Sequence, residues 1–226
     1  MGPRKIIIIG NWKMHLNVQQ ASLLVQHLQE NIKTQRLVEV VLAPSMLALQ
    51  PLSLQIDRRR FRLAAQNAFD KDEGAFTGEV SFAMLRELVH YVIIGHSERR
   101  RYFHETLETV RDKMAAAVRN GIDPILCIGE TKREREAHET KQVLHDQLTT
   151  AISNLTSEEI EKIVVAYEPV WAISSGTDYT HHEIATPDDV AKVVRLIRQD
   201  IAELYGQTAA DNVRVIYGGS SNAENA

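Results

Sequence analysis

The chain contains one cysteine, Cys127, so no intramolecular disulfide framework holds it together. It has no apolar stretch long enough to span a bilayer, which argues against a membrane protein. The start, MGPRK followed directly by IIII, carries no signal-peptide cleavage pattern. With the lone thiol, this leads us to expect a reducing, cytoplasmic location. There is no excess of charge of either sign: the formal net charge is -4. The basic runs Arg58-Arg59-Arg60 and Arg99-Arg100-Arg101 are too short to form a nucleic-acid-binding face, so no nucleic-acid partner is expected. No G-x-G-x-x-G follows the first apolar run, which removes the main support for a dinucleotide-binding fold. No composition break divides the chain, and we expect a single domain over residues 1–226.

What the chain does have is a series of apolar runs that end on chemically useful residues. IIIIGNWK, YVIIGHSERR, PILCIGE and VVAYEPVW each pass from a continuous hydrophobic stretch to a polar group. Strands buried on both faces of a parallel sheet read this way. Strand candidates are Lys5–Gly10, Val38–Ala43, Phe61–Ala65, Tyr91–Gly95, Pro124–Ile128, Ile163–Tyr167 and Val213–Tyr217. Amphipathic helical stretches fill the gaps. Asn17–Lys33 carries Leu23, Leu24, Leu28 and Ile32 at helical spacing. Thr106–Asn120 carries Leu107, Val110, Met114 and Val118 and stops at Gly121. Glu130–Asn154 is charged at first and ends in Val143, Leu144, Leu148 and Ile152. Thr186-Pro187-Asp188-Asp189 has the form of a helix start: a cap, a proline, then acids. Alternating strands and helices imply right-handed crossovers and a parallel sheet. Both a closed (β/α)₈ barrel and an open doubly wound sheet have this order. Polar groups at the ends of so many strands favour the barrel, whose site is built from several strand ends.

Seven motifs occur in order: Gly10-Asn11-Trp12-Lys13-Met14, Ala65-Gln66-Asn67, Gly74-Ala75-Phe76-Thr77-Gly78-Glu79, Ile94-Gly95-His96-Ser97-Glu98-Arg99-Arg100, Cys127-Ile128-Gly129-Glu130-Thr131, Ala166-Tyr167-Glu168-Pro169-Val170-Trp171-Ala172 and Tyr217-Gly218-Gly219-Ser220. Together they resemble the triosephosphate isomerase family over nearly the whole chain. The resemblance implies a TIM barrel and the interconversion of dihydroxyacetone phosphate and D-glyceraldehyde 3-phosphate through an enediolate. It also implies that no cofactor and no metal take part, and that the enzyme is a homodimer built through a loop around Thr77-Gly78-Glu79. Glu168 matches the family's base, and its ordinary alternative is a strand-end acid or a salt-bridge partner. His96 matches the electrophile, a neutral imidazole in that family's mechanism, and its alternative is a structural hydrogen-bonded ring. Lys13 would supply positive charge to phosphate and oxyanion, with Asn11 supporting the same oxygen. Glu98 matches a supporting acid near the site lysine. Ser220 would bind phosphate with the neighbouring backbone N–H groups.

The chain departs from the family's pattern in three places. The lid after Trp171-Ala172-Ile173 is longer, running from Ser174 to Ala185, so either Ser174 or Gly176 matches the phosphate-binding lid position. His181-His182-Glu183 within it has no second ligand cluster, which argues against a metal site. His104 replaces a residue that is commonly glycine in the family. The family's eighth strand and last helix have no counterpart among these residues, and the expected barrel is incomplete at the C-terminus. The alternative function is therefore an inactive or non-catalytic phosphate-binding barrel relative or fragment. Another phosphate-binding barrel enzyme would need strand-end residues other than AYEPVW.

Overall fold

The computed structural model describes residues 5–33, 36–173 and 185–219. Ser174, Gly176, the His181-His182-Glu183 stretch and Ser220 lie outside them. In chain order the elements are β1 (Ile6–Asn11), α1 (Val18–Asn31), β2 (Val38–Ala43), α2 (Met46–Gln55), β3 (Phe61–Ala65), α3 (Phe82–Leu85), β4 (Tyr91–Ile94), α4 (Ser97–Tyr102), α5 (Leu107–Arg119) and β5 (Asp123–Ile128). They continue with α6 (Lys132–Glu136), α7 (Thr140–Ile152), α8 (Ser157–Ile160), β6 (Val164–Tyr167), α9 (Pro187–Tyr205), α10 (Gln207–Asn212) and β7 (Arg214–Tyr217).

The chain divides into two compact units, Met1–Ile93 with Ala116–Pro124, and Ile94–Ala115 with Ile125–Ala226. In the first, β1 pairs parallel with β2 from Ile6↔Val38 to Asn11↔Ala43. Strand β2 pairs with β3, and β3 with β4, again parallel. The side chains of Val41, Leu49, Leu52, Phe61, Phe82 and Leu85 are buried there. In the second unit β5 pairs parallel with β6 and β6 with β7. Leu126, Ile128, Val164, Val165, Leu148 and Ile197 are buried in that unit. Burying one such side chain contributes about 1.5–3 kcal/mol. In β4, β6 and most of β5 the continuous hydrophobic runs are buried on both faces, whereas β1 leaves Ile6 62% and Ile8 56% exposed and β7 is only half-buried.

All seven strands fall within a residue or so of their expected positions. Two helical expectations need correction. In α1 the fully buried residues are Ala21 and Val25, while Leu23 is 60% exposed; small side chains take the face of closest approach. The stretch Glu130–Asn154 is two helices, because His138 adopts a left-handed backbone (φ 61°) between α6 and α7. The Thr186 cap is as expected: its hydroxyl accepts the Asp189 N–H at 3.2 Å, and Asp189 Oδ2 accepts the Thr186 N–H at 3.2 Å.

Thr77-Gly78-Glu79 is a turn, with Gly78 at φ 92°; α3 begins at Phe82, capped by Ser81. The loop closes on itself through a Phe69–Ser81 bridge and packing of Phe69 on Phe76, ring centroids 4.6 Å apart.

His104 has φ 55°, a left-handed conformation that disfavours a side chain. A glycine suits this position for that reason. His104→Gly should therefore raise stability by about 1 kcal/mol, read as a higher urea midpoint with an unchanged m-value.

Candidate active site

In the first unit, β1 delivers Asn11 at its last residue and Lys13 just beyond. Lys13 itself is left-handed, φ 50°. The Asn11 side-chain oxygen accepts the Lys13 N–H at 3.0 Å. Gln66, just after β3, donates to the carbonyls of Lys13 and Ala43, each at 2.8 Å. A strained backbone held by two side-chain amides fixes where the lysine stem leaves the chain. Gln66 lies in a motif quoted for the resemblance, yet nothing in its spacing assigned it this task.

In the second unit the ends of β4, β5, β6 and β7 contribute. His96 follows β4 and caps α4, with its Nδ1 accepting the Glu98 N–H at 3.2 Å. An accepting Nδ1 carries no proton, so the ring N–H is on Nε2. That nitrogen lies 3.4 Å from Glu168 Oε1. The other carboxylate oxygen accepts the Ser97 N–H at 3.3 Å. Glu168 follows β6 and is 6% exposed; His96 is 7% exposed. The Glu98 carboxylate is 3.6 Å from His96 Nδ1, so this acid reaches the site by its main chain and its side chain together. The structure therefore brings Glu168, His96 and Glu98 together within this unit.

The wall behind Glu168 leaves little room. A Cβ on Gly218 would lie 2.8 Å from Glu168 Cγ, and one on Gly129 would lie 1.8 Å from the Glu168 carbonyl oxygen. Cys127 is buried beside the carboxylate. Burial, and then the Glu168 charge, push its thiol well up, which keeps it protonated and unreactive. A cavity of about 360 Å³ opens next to Glu168, lined by Ser97, Arg100, Cys127, Gly129 and Gln147 among others.

Beyond Glu168 the chain enters a short 3₁₀ turn, Val170–Ala172. Fully buried Glu130 anchors it. Glu130 accepts from Trp171 Nε1 at 2.9 Å and from the Tyr167 hydroxyl at 3.1 Å. Burial, then the Glu130 charge, push the Tyr167 phenol well up, so it remains a donor. The Arg135 guanidinium stacks 4.0 Å from the Trp171 ring centroid and reaches Asp189 Oδ1 at 3.3 Å. Glu130 ends one of the apolar runs but sequence reasoning gave it no task, and Arg135 was not singled out; their roles depend on tertiary neighbours.

Among the described residues no helix is long and apolar enough to cross a membrane. Comparison with known proteins adds the family. The model described as triosephosphate isomerase matches residues 6–226. A triosephosphate isomerase of Caldanaerobacter subterraneus subsp. tengcongensis is 44% identical over 98% of this chain and 87% of its own length. One from Carboxydothermus hydrogenoformans is 44% identical over 98% and 86%, and one from Ligilactobacillus salivarius 42% over 98% and 86%. The parallel pairing, the strand–helix alternation and these matches agree on an α/β fold of the TIM-barrel class, and the chain belongs to the triosephosphate isomerase family.

Proposed function

We propose that this chain is a triose-phosphate isomerase that interconverts dihydroxyacetone phosphate and D-glyceraldehyde 3-phosphate. Glu168 takes a proton from one substrate carbon and returns it to the adjacent carbon. His96 serves the two oxygens through its Nε2–H, giving a proton to one as the enediolate forms and recovering one as it collapses. The observation that carries this reading is the pairing of a buried carboxylate with an imidazole whose Nδ1 is already committed as an acceptor. Such a ring offers a neutral N–H to a developing oxyanion, whose proton affinity it matches more closely than a charged imidazolium would. Glu168 must release the Ser97 N–H or the His96 ring to reach a substrate carbon.

Lys13 supplies fixed positive charge for the phosphate and the oxyanion, and Asn11 supports the oxygen. Ser220 and either Ser174 or Gly176 hold the phosphate in this reading, and Glu98 acts through His96. The whole chain works as one domain in the cytoplasm, within glycolysis and gluconeogenesis, and as a homodimer. In support of the dimer, the first unit leaves Met14 96%, Leu47 82% and Met84 65% exposed, an apolar cost that a second copy would remove. Sedimentation equilibrium giving only monomer at micromolar concentration would reject the dimer.

Turnover is tested with the purified chain in a coupled assay run in both directions. In deuterated water the product should carry deuterium at the carbon that receives the proton. Absence of turnover would overturn the proposal, and turnover without deuterium uptake would exclude the enediolate route.

A further inference from the structure

The ends of β5 and β6 are tied together in a way that passes through one amide on the far side. The Glu168 N–H donates to the Ile128 carbonyl at 2.7 Å, and the Val170 N–H donates to the Glu130 carbonyl at 3.0 Å. Gly129, between those two acceptors, presses its Cα against the Glu168 main chain. A Cβ there would be 1.8 Å from the Glu168 oxygen and 2.5 Å from its carbonyl carbon. No side chain fits, so the Gly129 peptide is the surface on which the Glu168 main chain rests. Both polar groups of Gly129 are held by Gln147, on α7. The Gly129 N–H donates to Gln147 Oε1 at 2.9 Å, and Gln147 Nε2 donates to the Gly129 carbonyl at 3.1 Å. A primary amide meets a peptide this way only with one donor and one acceptor facing the complementary groups.

We propose that Gln147 is a positioning residue for the base, acting through Gly129 on the main chain of Glu168. The inference rests on the assignment of Glu168 as base. Gln147 also lines the cavity beside Glu168, but its two hydrogen bonds go to the Gly129 peptide, and it is through that peptide that it bears on the base. A small displacement of a reacting group costs about a hundredfold per ångström, so a peptide freed by a few tenths of an ångström would be visible in turnover. The competing role is purely structural: Gln147 would satisfy two inward-facing backbone groups and affect stability alone.

Two variants separate these roles. Gln147→Leu removes both bonds at similar volume. We expect kcat to fall about tenfold or more while KM for the triose phosphate stays within about twofold, since phosphate binding is untouched. Gln147→Glu gives a sharper signature and serves even if the leucine variant folds poorly. A protonated glutamic acid offers one donor and one acceptor, as the amide does, whereas a carboxylate offers only acceptors and faces the Gly129 carbonyl with like charge. The ratio of its kcat to the wild-type kcat should therefore climb about threefold from about pH 7 to about pH 4.8, as the carboxylate begins to take up its proton. A folded Gln147→Leu protein with wild-type kcat, or a flat Gln147→Glu ratio across that range, would overturn the inference. Either result beside an active wild type and a disabled Glu168→Gln would leave the isomerase reading standing. An inactive wild type would reject that reading itself.

Discussion

Glu168→Gln should lower kcat by about a thousandfold, within the ~10²–10⁴-fold range of a general base, with little change in KM. The neutral amide keeps an oxygen for the Ser97 N–H, so the local packing survives while the proton acceptor is lost. Thermal stability should change little, because the substitution removes the cost of a buried carboxylate but also takes away a charge that favours the largely buried Arg100 guanidinium. The check pairs the coupled assay with a melting curve. Wild-type turnover in the variant would remove Glu168 from the mechanism, and a collapse of the fold would show that the carboxylate is structural.

The second large effect is on stability and lies away from the chemistry. Glu105 and Lys113 form an ion pair, N to O 2.5 Å, with each side chain 5% exposed, and Arg99 joins the same oxygen at 2.5 Å. Glu105→Ala leaves a buried ammonium without its carboxylate, and should cost about 3–5 kcal/mol in urea unfolding. Acid should act on the same cluster. Burial pushes the Glu105 carboxyl up, but the hydrogen bonds from Lys113 and Arg99, with their charges, more than offset it and hold the group below the ordinary carboxylate range. A group depressed in the folded state contributes stability above its unfolded value, near pH 4.5, and loses it as pH falls through the folded value. The wild type should thus lose stability steeply below about pH 4.5, and Glu105→Ala should flatten that limb. A cost under about 1 kcal/mol would mean that the cluster is solvated in solution.

Some of this was legible in the sequence and some was not, for physical reasons. Strand positions could be read because β-branched runs stand out, as in β4 and β6 where both faces are buried and no alternation is needed, and Val164–Tyr167 leads into Glu168 as expected. Helix ends marked by side-chain chemistry were equally clear, as at Thr186 and at Gly121, which is left-handed (φ 71°). The break between α6 and α7 was hidden, because a histidine gives no sign that it will adopt a left-handed backbone. The pairing of His96 with Glu168 joins residues far apart in the chain, so only the resemblance could suggest it. Gln66, Glu130 and Gln147 were missed for the same reason: each acts on a main-chain or side-chain group distant in sequence, and no local pattern encodes that partner.

Arg135 gives the protein a thermodynamic link that its primary order conceals. The same guanidinium lies against the indole of Trp171 and bonds Asp189, the residue that closes the cap at Thr186. Substitutions at positions 171 and 189 should therefore be non-additive in a double-mutant cycle, although seventeen residues separate them in the sequence. A lysine at position 135 could satisfy only one of those neighbours at a time, because a point charge on a flexible stem cannot offer a flat face and an edge together.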